Sequence, residues 1–261
     1  MIDCGRGHME LEGKTALVTG ASKGIGRGIC LKLAALGCDI AVNYNSDPTG
    51  AEQVADAVRA IGRRALPVQA SVAESAQVRA MFETVLSEFA VLDVLVNNAG
   101  TQVWAPLLEL SEQDWDRVID TNLKGCFLCT QLAARNMKQR GRGRIVNIGS
   151  GCNKVAFPNL VSYTASKGGI EQFTKVAAAE LGEFGITVNC VAPGAILIDR
   201  TERESADYAG QWSKLTPMGR VGHPPDVAEA VAFLCGDGSE FISGQTLMVD
   251  GGLFTRGPWA Y

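Results

Sequence analysis

The chain has 261 residues, of which 46% are hydrophobic and 20% are charged, and its formal net charge is −4. These values predict one globular, soluble α/β domain over residues 10–261. The acidic balance and the lack of a long basic cluster in the sequence exclude nucleic acid and anionic membranes as expected partners. No apolar run approaches the roughly 18 residues that cross a membrane. Residues 1–9 match neither a signal peptide nor a strand, and we expect them to be a disordered leader or a cloning remnant.

The eight cysteines are irregularly spaced, which does not fit a disulfide framework in a chain of this length. Cys126 and Cys129 form a CxxC pair, a pattern that can indicate redox or metal chemistry. They lie in an apolar helical run, however, and the sequence has no second pair and only two histidines. We interpret both as small core residues, predict no metal site, and expect the protein in a reducing cytoplasm.

A glycine-rich loop follows the first predicted strand. Residues 14–19 are short and apolar, and they run into glycines at 20, 24 and 26 and then into a helix that ends near Leu36. In a strand–loop–helix unit such glycines let backbone amides approach a pyrophosphate, which then lies at the helix N-terminus. A glycine-rich turn without a ligand is the alternative, and the flanking strand and helix argue against it.

The end of the second strand predicts which nicotinamide cofactor binds. Residues 39–44 form this strand, and a helix over 48–61 follows. An acidic residue directly after the strand would bind the ribose hydroxyls and repel a 2′-phosphate, but here the first acid is Asp47. Lys23 in the glycine loop could neutralise a phosphate. The sequence therefore favours NADP(H) over NAD(H).

The middle of the chain predicts two strands, 66–69 and 92–96, around a helix over 74–89. The second strand leads into the polar turn 97–100, whose small residues could pack beside a cofactor ribose or form a plain tight turn. Ser111 and Asp114 predict the start of a long helix to about residue 138. Asn122 is unfavourable inside a helix next to a glycine, which predicts a distorted turn that exposes a carbonyl to a water.

The chemistry is predicted where Ser150, Tyr163 and Lys167 meet. A strand over 144–148 delivers Ser150 at its carboxyl end, where open α/β sheets place their active sites. Tyr163 and Lys167 are four residues apart on the helix from Pro158 to about residue 181, so they share one face. A phenol has a reference pKa of about 10, and a nearby ammonium is expected to lower the pKa of Tyr163 toward neutrality.

The last part of the chain combines regular elements with one irregular segment. Strands are predicted over 186–191 and 245–249, with a helix from Pro224 to about residue 236 between them. Residues 194–216 show no clean periodicity, which indicates a substrate lid. The tail carries aromatic residues that we expect to pack on a neighbouring subunit or over the active site: Phe254, Trp259 and Tyr261.

Over residues 10–252 the sequence resembles the classical short-chain dehydrogenase/reductase family. The matching marks are residues 19–26 (TGASKGIG), Asn97-Asn98-Ala99-Gly100, Asn122, Ser150, Tyr163 with Lys167, and Pro193-Gly194. The resemblance implies an α/β fold consisting of a single Rossmann-type, doubly wound domain. Its sheet would have seven parallel strands in the order 3-2-1-4-5-6-7, with helices on both faces.

The resemblance also implies roles for individual residues. Tyr163 would be the general acid/base, Lys167 would lower its pKa and bind the nicotinamide ribose, Ser150 would orient the substrate oxygen, and Asn122 would hold a water in a proton relay. Substrate would be lined by Ser150, Cys152, Tyr163 and Trp212. Cofactor contacts would come from Gly20, Ser22, Lys23, Gly24, Ile25, Gly26, Tyr44, Asn45, Ser46, Ser71, Val72, Asn98, Ala99, Gly100, Tyr163, Lys167, Pro193, Gly194 and Ile196.

One position departs from the family pattern, and the substrate stays open. Ser71 stands where the family usually has an aspartate that contacts the adenine. The sequence is similar to two subgroups, the glucose 1-dehydrogenases and the 3-oxoacyl-acyl-carrier-protein reductases. The second group usually has a basic residue before the sixth strand to meet the acidic carrier protein, whereas here the segment 182–185 is GEFG. We therefore expect a sugar or polyol as substrate, with an acyl-carrier or other carbonyl reductase as the alternative.

Two further expectations concern catalysis and assembly. A non-catalytic nucleotide-binding regulator on the same scaffold would be expected to lack Tyr163 or Lys167, and both are present. The helices over 111–138 and 158–181 have broad apolar stripes, which predicts that their outer faces pair subunits into a homotetramer.

Overall fold

A computed structural model describes residues 11–255, and the expectations for residues 1–9, Trp259 and Tyr261 lie outside the described residues. Within this range the chain forms one seven-stranded parallel sheet in the order β3-β2-β1-β4-β5-β6-β7, as the family resemblance implies. The strands are β1 (Thr15–Val18), β2 (Asp39–Tyr44), β3 (Ala65–Gln69), β4 (Val94–Asn97), β5 (Gly143–Ile148), β6 (Ile186–Pro193) and β7 (Thr246–Val249).

Helices cover both faces of this sheet. They are α1 (Gly24–Ala35), α2 (Pro48–Ala60), α3 (Ser75–Phe89), α4 (Glu112–Ile119), α5 (Gly125–Lys138), α6 (Val161–Leu181), α7 (Asp199–Glu204), α8 (Tyr208–Leu215) and α9 (Pro224–Cys235). Neighbouring strands are all parallel, so each connection crosses over the sheet through a helix or an extended loop.

Two apolar clusters, one on each face of the sheet, explain why the strand sequences are continuously apolar. Ala16 and Val18 of β1 pack with α1, α2 and α9 on one face, whereas Leu17 packs with α3, α5 and α6 on the other. Side chains alternate along a strand, and here both faces are covered. Cys126 and Cys129 are buried, which confirms their interpretation as core residues.

The structure corrects two predicted elements. Residues 111–138 are not one continuous helix, because the five residues Asp120–Lys124 form a π-helical turn between α4 and α5. The predicted capping of this segment is confirmed, since the Ser111 hydroxyl accepts a hydrogen bond of 3.1 Å from the Asp114 amide. The segment 194–216 is not irregular, because it contains α7 and α8. Both helices are short and half-exposed, which left them without a clear apolar period.

Two features bear on the surroundings of the protein. No helix between residues 11 and 255 has the length and hydropathy needed to cross a membrane. Several large apolar side chains are exposed on the outer faces of α4, α5 and α6, among them Trp115, Phe127 and Val176.

Candidate active site

The carboxyl ends of the strands bring the sequence motifs to one edge of the sheet. The glycine loop follows β1, the turn 98–100 follows β4, Ser150 follows β5, and Gly194 follows β6. Parallel sheets bind ligands at this edge, because the loops there lie beside one another and the helix N-termini point toward it.

The glycine loop has the shape of a phosphate cradle. Gly20 has φ +60°, a left-handed conformation that favours glycine. A Cβ on Gly26 would stand 2.6 Å from both the Asn98 side-chain nitrogen and the Gly20 carbonyl oxygen, so no larger residue fits there. Helix α1 begins at Gly24 without a side-chain cap from Lys23, and its first amides remain available to an anion. The loop therefore fits a dinucleotide pyrophosphate.

A buried hydrogen-bonding side chain holds this loop in place. Asn43, on β2, accepts a 3.1 Å bond from the Gly20 amide and donates bonds of 3.3 and 3.1 Å to the carbonyls of Val68 and Ala70. It thereby ties the loop to the sheet. Asn43 was not singled out in the sequence analysis. A polar residue in an otherwise apolar strand is the signal that could have indicated it.

The turn after β4 fastens the loop from the other side. Asn98 donates 2.9 Å bonds from its side chain to the carbonyls of Thr19 and Gly20. The Thr19 hydroxyl accepts bonds of 3.0 Å from the amides of Asn98 and Ala99. The structure thus gives Asn98 and Ala99 a role in shaping the cofactor loop.

The adenosine end of the predicted site is more open. Tyr44 is half-buried, whereas Asn45 and Ser46 are exposed beyond β2. The Asp47 carboxylate accepts a 2.9 Å bond from the Gly50 amide at the start of α2, and it lies 3.8 Å from the Lys23 ammonium. Asp47 is thus occupied as a helix cap, and Lys23 stays largely exposed.

Ser71 and Val72 follow β3, where the family usually has an aspartate. The Ser71 amide donates a 2.8 Å bond to the Gln77 side chain. Val72 is buried, and a Cβ on Gly125 would lie 2.7 Å from it, so α5 packs directly against this residue. Val72 therefore also sets the position of the π-helical turn that carries Asn122.

Asn122 joins the turn after β4 to α6. Its side-chain oxygen accepts a 2.8 Å bond from the Thr101 amide, and its side-chain nitrogen donates 2.9 Å bonds to the Thr101 carbonyl and the Ser166 hydroxyl. Ser166 in turn donates a 2.7 Å bond to the Tyr163 carbonyl. The predicted distortion at this position is present as the π-helical turn, and the Asn122 side chain is fully used in positioning the helix of the tyrosine.

Ser150, Tyr163 and Lys167 come together at the end of β5. Lys167 is buried, and its ammonium donates a 2.7 Å bond to the carbonyl of Ile148, two residues before Ser150. The same ammonium lies 5.5 Å from the centre of the Tyr163 ring. The Ser150 hydroxyl accepts a 3.2 Å bond from the Cys152 amide, and its effect on the Tyr163 phenol is to lower the pKa of that phenol.

Burial has the largest effect on the pKa values of Tyr163 and Lys167. It raises the pKa of Tyr163 above the ordinary value for a phenol, and the Ser150 hydrogen bond and the charge of Arg200 act in the opposite direction. Burial also lowers the pKa of Lys167 to about 8. The expected lowering of the Tyr163 pKa by Lys167 is therefore wrong for this structure, because loss of solvation of the phenolate outweighs nearby positive charge.

The remaining predicted contacts lie along β6 and the lid. Pro193 ends β6, and a Cβ on Gly194 would lie 2.7 Å from Asp250, so the chain passes close to the C-terminal segment here. Ile196 is buried and forms a bridge with Gly222. Ser22, Gly24 and Ile25 stand at the start of α1, and Gly100 lies beside Asn122.

An aromatic group covers the side of the pocket beyond Ser150. Its ring centres are 6.3 Å apart for Phe157 and Trp212, 6.0 Å for Phe157 and Phe254, and 6.1 Å for Tyr208 and Trp212. The Phe254 ring packs against Gly151, directly after Ser150. The C-terminal segment therefore reaches the active site, and Cys152 is a half-buried neighbour of this wall.

Comparisons with known proteins agree with this geometry. Residues 20–254 match the family model described as enoyl-(acyl carrier protein) reductase. The 3-oxoacyl-[acyl-carrier-protein] reductase FabG of Staphylococcus aureus is 46% identical over 241 residues, covering 92% of this chain and 98% of that protein. An NADPH-dependent aldehyde reductase-like chloroplastic protein of Arabidopsis thaliana is 39% identical, covering 94% and 95%.

A solved structure with the same fold is a complex with a nicotinamide cofactor. It is a gluconate 5-dehydrogenase from Burkholderia cenocepacia in complex with NADP and tartrate, 36% identical, with a TM-score of 0.89. The alignment covers 96% of this chain and 98% of that one. The chain therefore belongs to the classical short-chain dehydrogenase/reductase family. It is an oxidoreductase of that family, whose members use NAD(P).

Proposed function

We propose that this oxidoreductase interconverts a ketone and a secondary alcohol with NADP(H), using Tyr163 as acid/base. The observation that carries the proposal is the convergence of Ser150, Tyr163 and Lys167 beside a glycine loop shaped for a pyrophosphate. The nicotinamide, when bound, supplies or accepts the hydride. The protein's own side chains move the proton and stabilise the developing charge on oxygen.

In the direction of reduction, Tyr163 acts first as an acid. Its raised pKa keeps the phenol protonated at neutral pH, so it can donate a proton to the substrate oxygen as the carbonyl carbon is reduced. The Ser150 hydroxyl orients the same oxygen. The phenolate left behind is stabilised by the Lys167 ammonium, which uses one of its three protons on Ile148 and keeps two for the phenol side and the ribose. In the direction of oxidation each step is reversed.

The preference for NADP(H) is supported by the end of β2. Asp47, the first acid after β2, caps α2, and the exposed Lys23 ammonium lies beside it. Asn45 and Ser46 offer further polar groups there. We expect Lys23→Ala to lower the ratio of kcat/KM for NADPH over NADH about tenfold, since it removes one charge-assisted contact. Lys32→Ala, which removes a lysine paired with Glu229 at the far end of α1, should leave the ratio unchanged.

The proposed substrate is a small polar ketone or its alcohol, including sugar-derived ones. The acidic chain and the segment 182–185 support it, because Glu183 and Phe184 stand where an acidic carrier protein would need positive charge. Lys138 places its ammonium over the Phe184 ring at 3.9 Å, which is the one cation–π contact of this segment among the described residues.

Reduction of a 3-oxoacyl thioester is a second candidate. The 46% identity to FabG over nearly its whole length favours it, whereas none of the three relatives named above is called a glucose 1-dehydrogenase. A panel of sugars, polyols, small ketones and a 3-oxoacyl thioester, followed by nicotinamide absorbance, separates the two. Turnover of the thioester alone would contradict the small-substrate proposal. Turnover of none, with either cofactor, would contradict the proposed function.

We also propose a homotetramer in a reducing cytoplasm. The exposed apolar side chains on α4, α5 and α6 support subunit pairing. Six cysteines in the described part of the chain form no disulfide, and all of them except Cys152 are buried: Cys30, Cys38, Cys126, Cys129, Cys152 and Cys190. Phe127→Arg should move the elution volume in gel filtration from a tetramer toward a smaller species. Elution of the unaltered protein at monomer mass would contradict the proposal.

A further inference from the structure

Three polar side chains connect the lid helix α7 to the segment after β4. We call Arg200 and Glu204 on α7 and Gln102 on the segment after β4 the lid cluster. Arg200 Nε lies 3.7 Å from Glu204 Oε1, and Gln102 Nε2 donates a 2.9 Å hydrogen bond to the same oxygen. None of these residues belongs to a sequence motif of the chain.

The lid cluster lies close to the catalytic residues from two directions. Gln102 directly follows Thr101, whose amide and carbonyl are both hydrogen-bonded to Asn122. On the lid side, the charge of Arg200 lowers the pKa of both Tyr163 and Lys167. This effect agrees with the hydrogen bond from Gln102 to Glu204, which ties the helix of Arg200 to the segment that is bonded to Asn122.

The guanidinium of Arg200 is only partly used. Its Nε side is turned to Glu204, and within residues 11–255 neither Nη1 nor Nη2 has a hydrogen-bond partner. Arg220, beyond the C-terminal end of the lid, is the opposite case, since it gives Nη1 and Nη2 to the two oxygens of Asp226 at 2.9 and 2.8 Å. Arg220 thus forms a closed pair, whereas the exposed Arg200 keeps its two Nη donors without a protein partner among the described residues.

Resting on the proposed function, we propose that Arg200 is a specificity residue that binds a carboxylate of the substrate. A guanidinium presents two parallel donors that match the two oxygens of a carboxylate. The substrate class is then a small oxo acid and the corresponding hydroxy acid. The carboxylate takes no part in the chemistry and is recovered unchanged.

Glu204 and the aromatic group narrow this class. A dianionic phosphate would face repulsion from the Glu204 carboxylate, whereas a monoanion at the Nη side is tolerated. Glu204 and Gln102 can also accept and donate hydrogen bonds to hydroxyl groups on the substrate. The aromatic group, with the rings of Phe157, Trp212 and Phe254, provides apolar surface for the carbon chain.

The test compares each acid with its uncharged ester. We would measure kcat/KM for oxo acids of four to six carbons and for their methyl esters, with the unaltered protein and with Arg200→Met. Loss of a charge-assisted pair should lower kcat/KM for the acids about 10- to 100-fold and leave the esters within about threefold. Arg203→Met is the matched control, because it makes the same substitution at another exposed arginine of the same helix, one that pairs with neither Glu204 nor Gln102. It should change neither.

A binding measurement keeps this inference separate from the proposed function. Fluorescence of bound NADPH is titrated with 3-hydroxybutanoate and with 3-hydroxybutanamide. Tighter binding of the acid, lost in Arg200→Met but retained in Arg203→Met, supports the carboxylate site even if no ketone is turned over. Equal effects of Arg200→Met on acids and esters, or no preference of the unaltered protein for the acid in either measurement, would overturn it.

Discussion

The two sides of the active site are built differently. On the cofactor side, the side-chain amides of Asn43 and Asn98 hold the glycine loop, and Asn43 is buried. They form hydrogen bonds of 2.9–3.3 Å to main-chain groups. On the substrate side, α7 and α8 are short, and their side-chain contacts include half-exposed rings, an ion pair of 3.7 Å and the 2.9 Å bond from Gln102 to Glu204.

This difference suggests that one side of the site sets the type of reaction and the other side sets the choice of substrate. Buried hydrogen bonds to the backbone have few alternatives, because breaking one leaves a polar group unsatisfied. Exposed side chains on a lid can change with little cost to folding, and they select what enters. The cofactor side thus fits the dinucleotide of an oxidoreductase, and under the proposed function the lid would select the substrate.

Tyr163→Phe should have the largest effect, because Tyr163 lies between the cofactor side and the substrate side. Removing the only proton donor of the ring should lower kcat about 10³-fold, because general acid catalysis is lost. NADPH affinity should stay within about twofold, since the ring itself remains. Steady-state absorbance and fluorescence titration measure the two quantities. Tyr208→Phe removes a lid hydroxyl as a control, and near-normal turnover by Tyr163→Phe would show that another group is the acid.

Gly26→Ala tests the rigidity of the cofactor side. The added Cβ would lie 2.6 Å from the Asn98 nitrogen and the Gly20 oxygen, both of which are fixed by other bonds. Such overpacking typically costs about 1–3 kcal/mol, and we expect that loss in unfolding free energy together with at least tenfold weaker NADPH binding. Denaturant unfolding and fluorescence titration measure them. Gly238→Ala, with open space at its Cβ, should do neither; equal behaviour of the two variants would refute a rigid cradle.

The pH dependence of reduction tests the electrostatics of the centre. The pKa of Lys167 is lowered to about 8, so its ammonium is lost as the pH rises through this value. The Tyr163 pKa is raised, so the phenol keeps its proton over the same range. We expect kcat/KM for ketone reduction to be flat below about pH 8 and to fall about tenfold per pH unit above it. A profile that stays flat to pH 10 would show that the charge of Lys167 is not needed.

Trp212→Ala tests the lid side and should have the smallest effect. Its ring packs against Phe157 and Tyr208, and an aromatic contact of this kind contributes about 1 kcal/mol. We expect KM for the ketone to rise about fivefold, with NADPH affinity and kcat nearly unchanged, in initial-rate measurements. Phe241→Ala, at an exposed ring on the segment before β7, serves as the control. A large loss of NADPH binding in Trp212→Ala would contradict the claim that the lid acts on the substrate and not on the cofactor.

Local sequence patterns predicted most of the fold. Apolar runs located all seven strands, and spacing placed Tyr163 and Lys167 on one helix. The π-helical turn was foreseen as a distortion at Asn122, but its boundaries were not, because they depend on α5 packing against Val72. The lid helices α7 and α8 were missed because half-exposed helices of six and eight residues lack a full apolar period.

The sequence by itself determined the class of fold, the glycine loop and the residues of the proposed catalytic centre. These follow from residue type and spacing along a few neighbouring turns. Only the tertiary structure decided that Asn43 holds the loop, that burial raises the Tyr163 pKa, and that Gln102 bonds to Glu204 beside Arg200. Each of these depends on segments far apart in the chain, since solvation and charge are set by what surrounds a group in space.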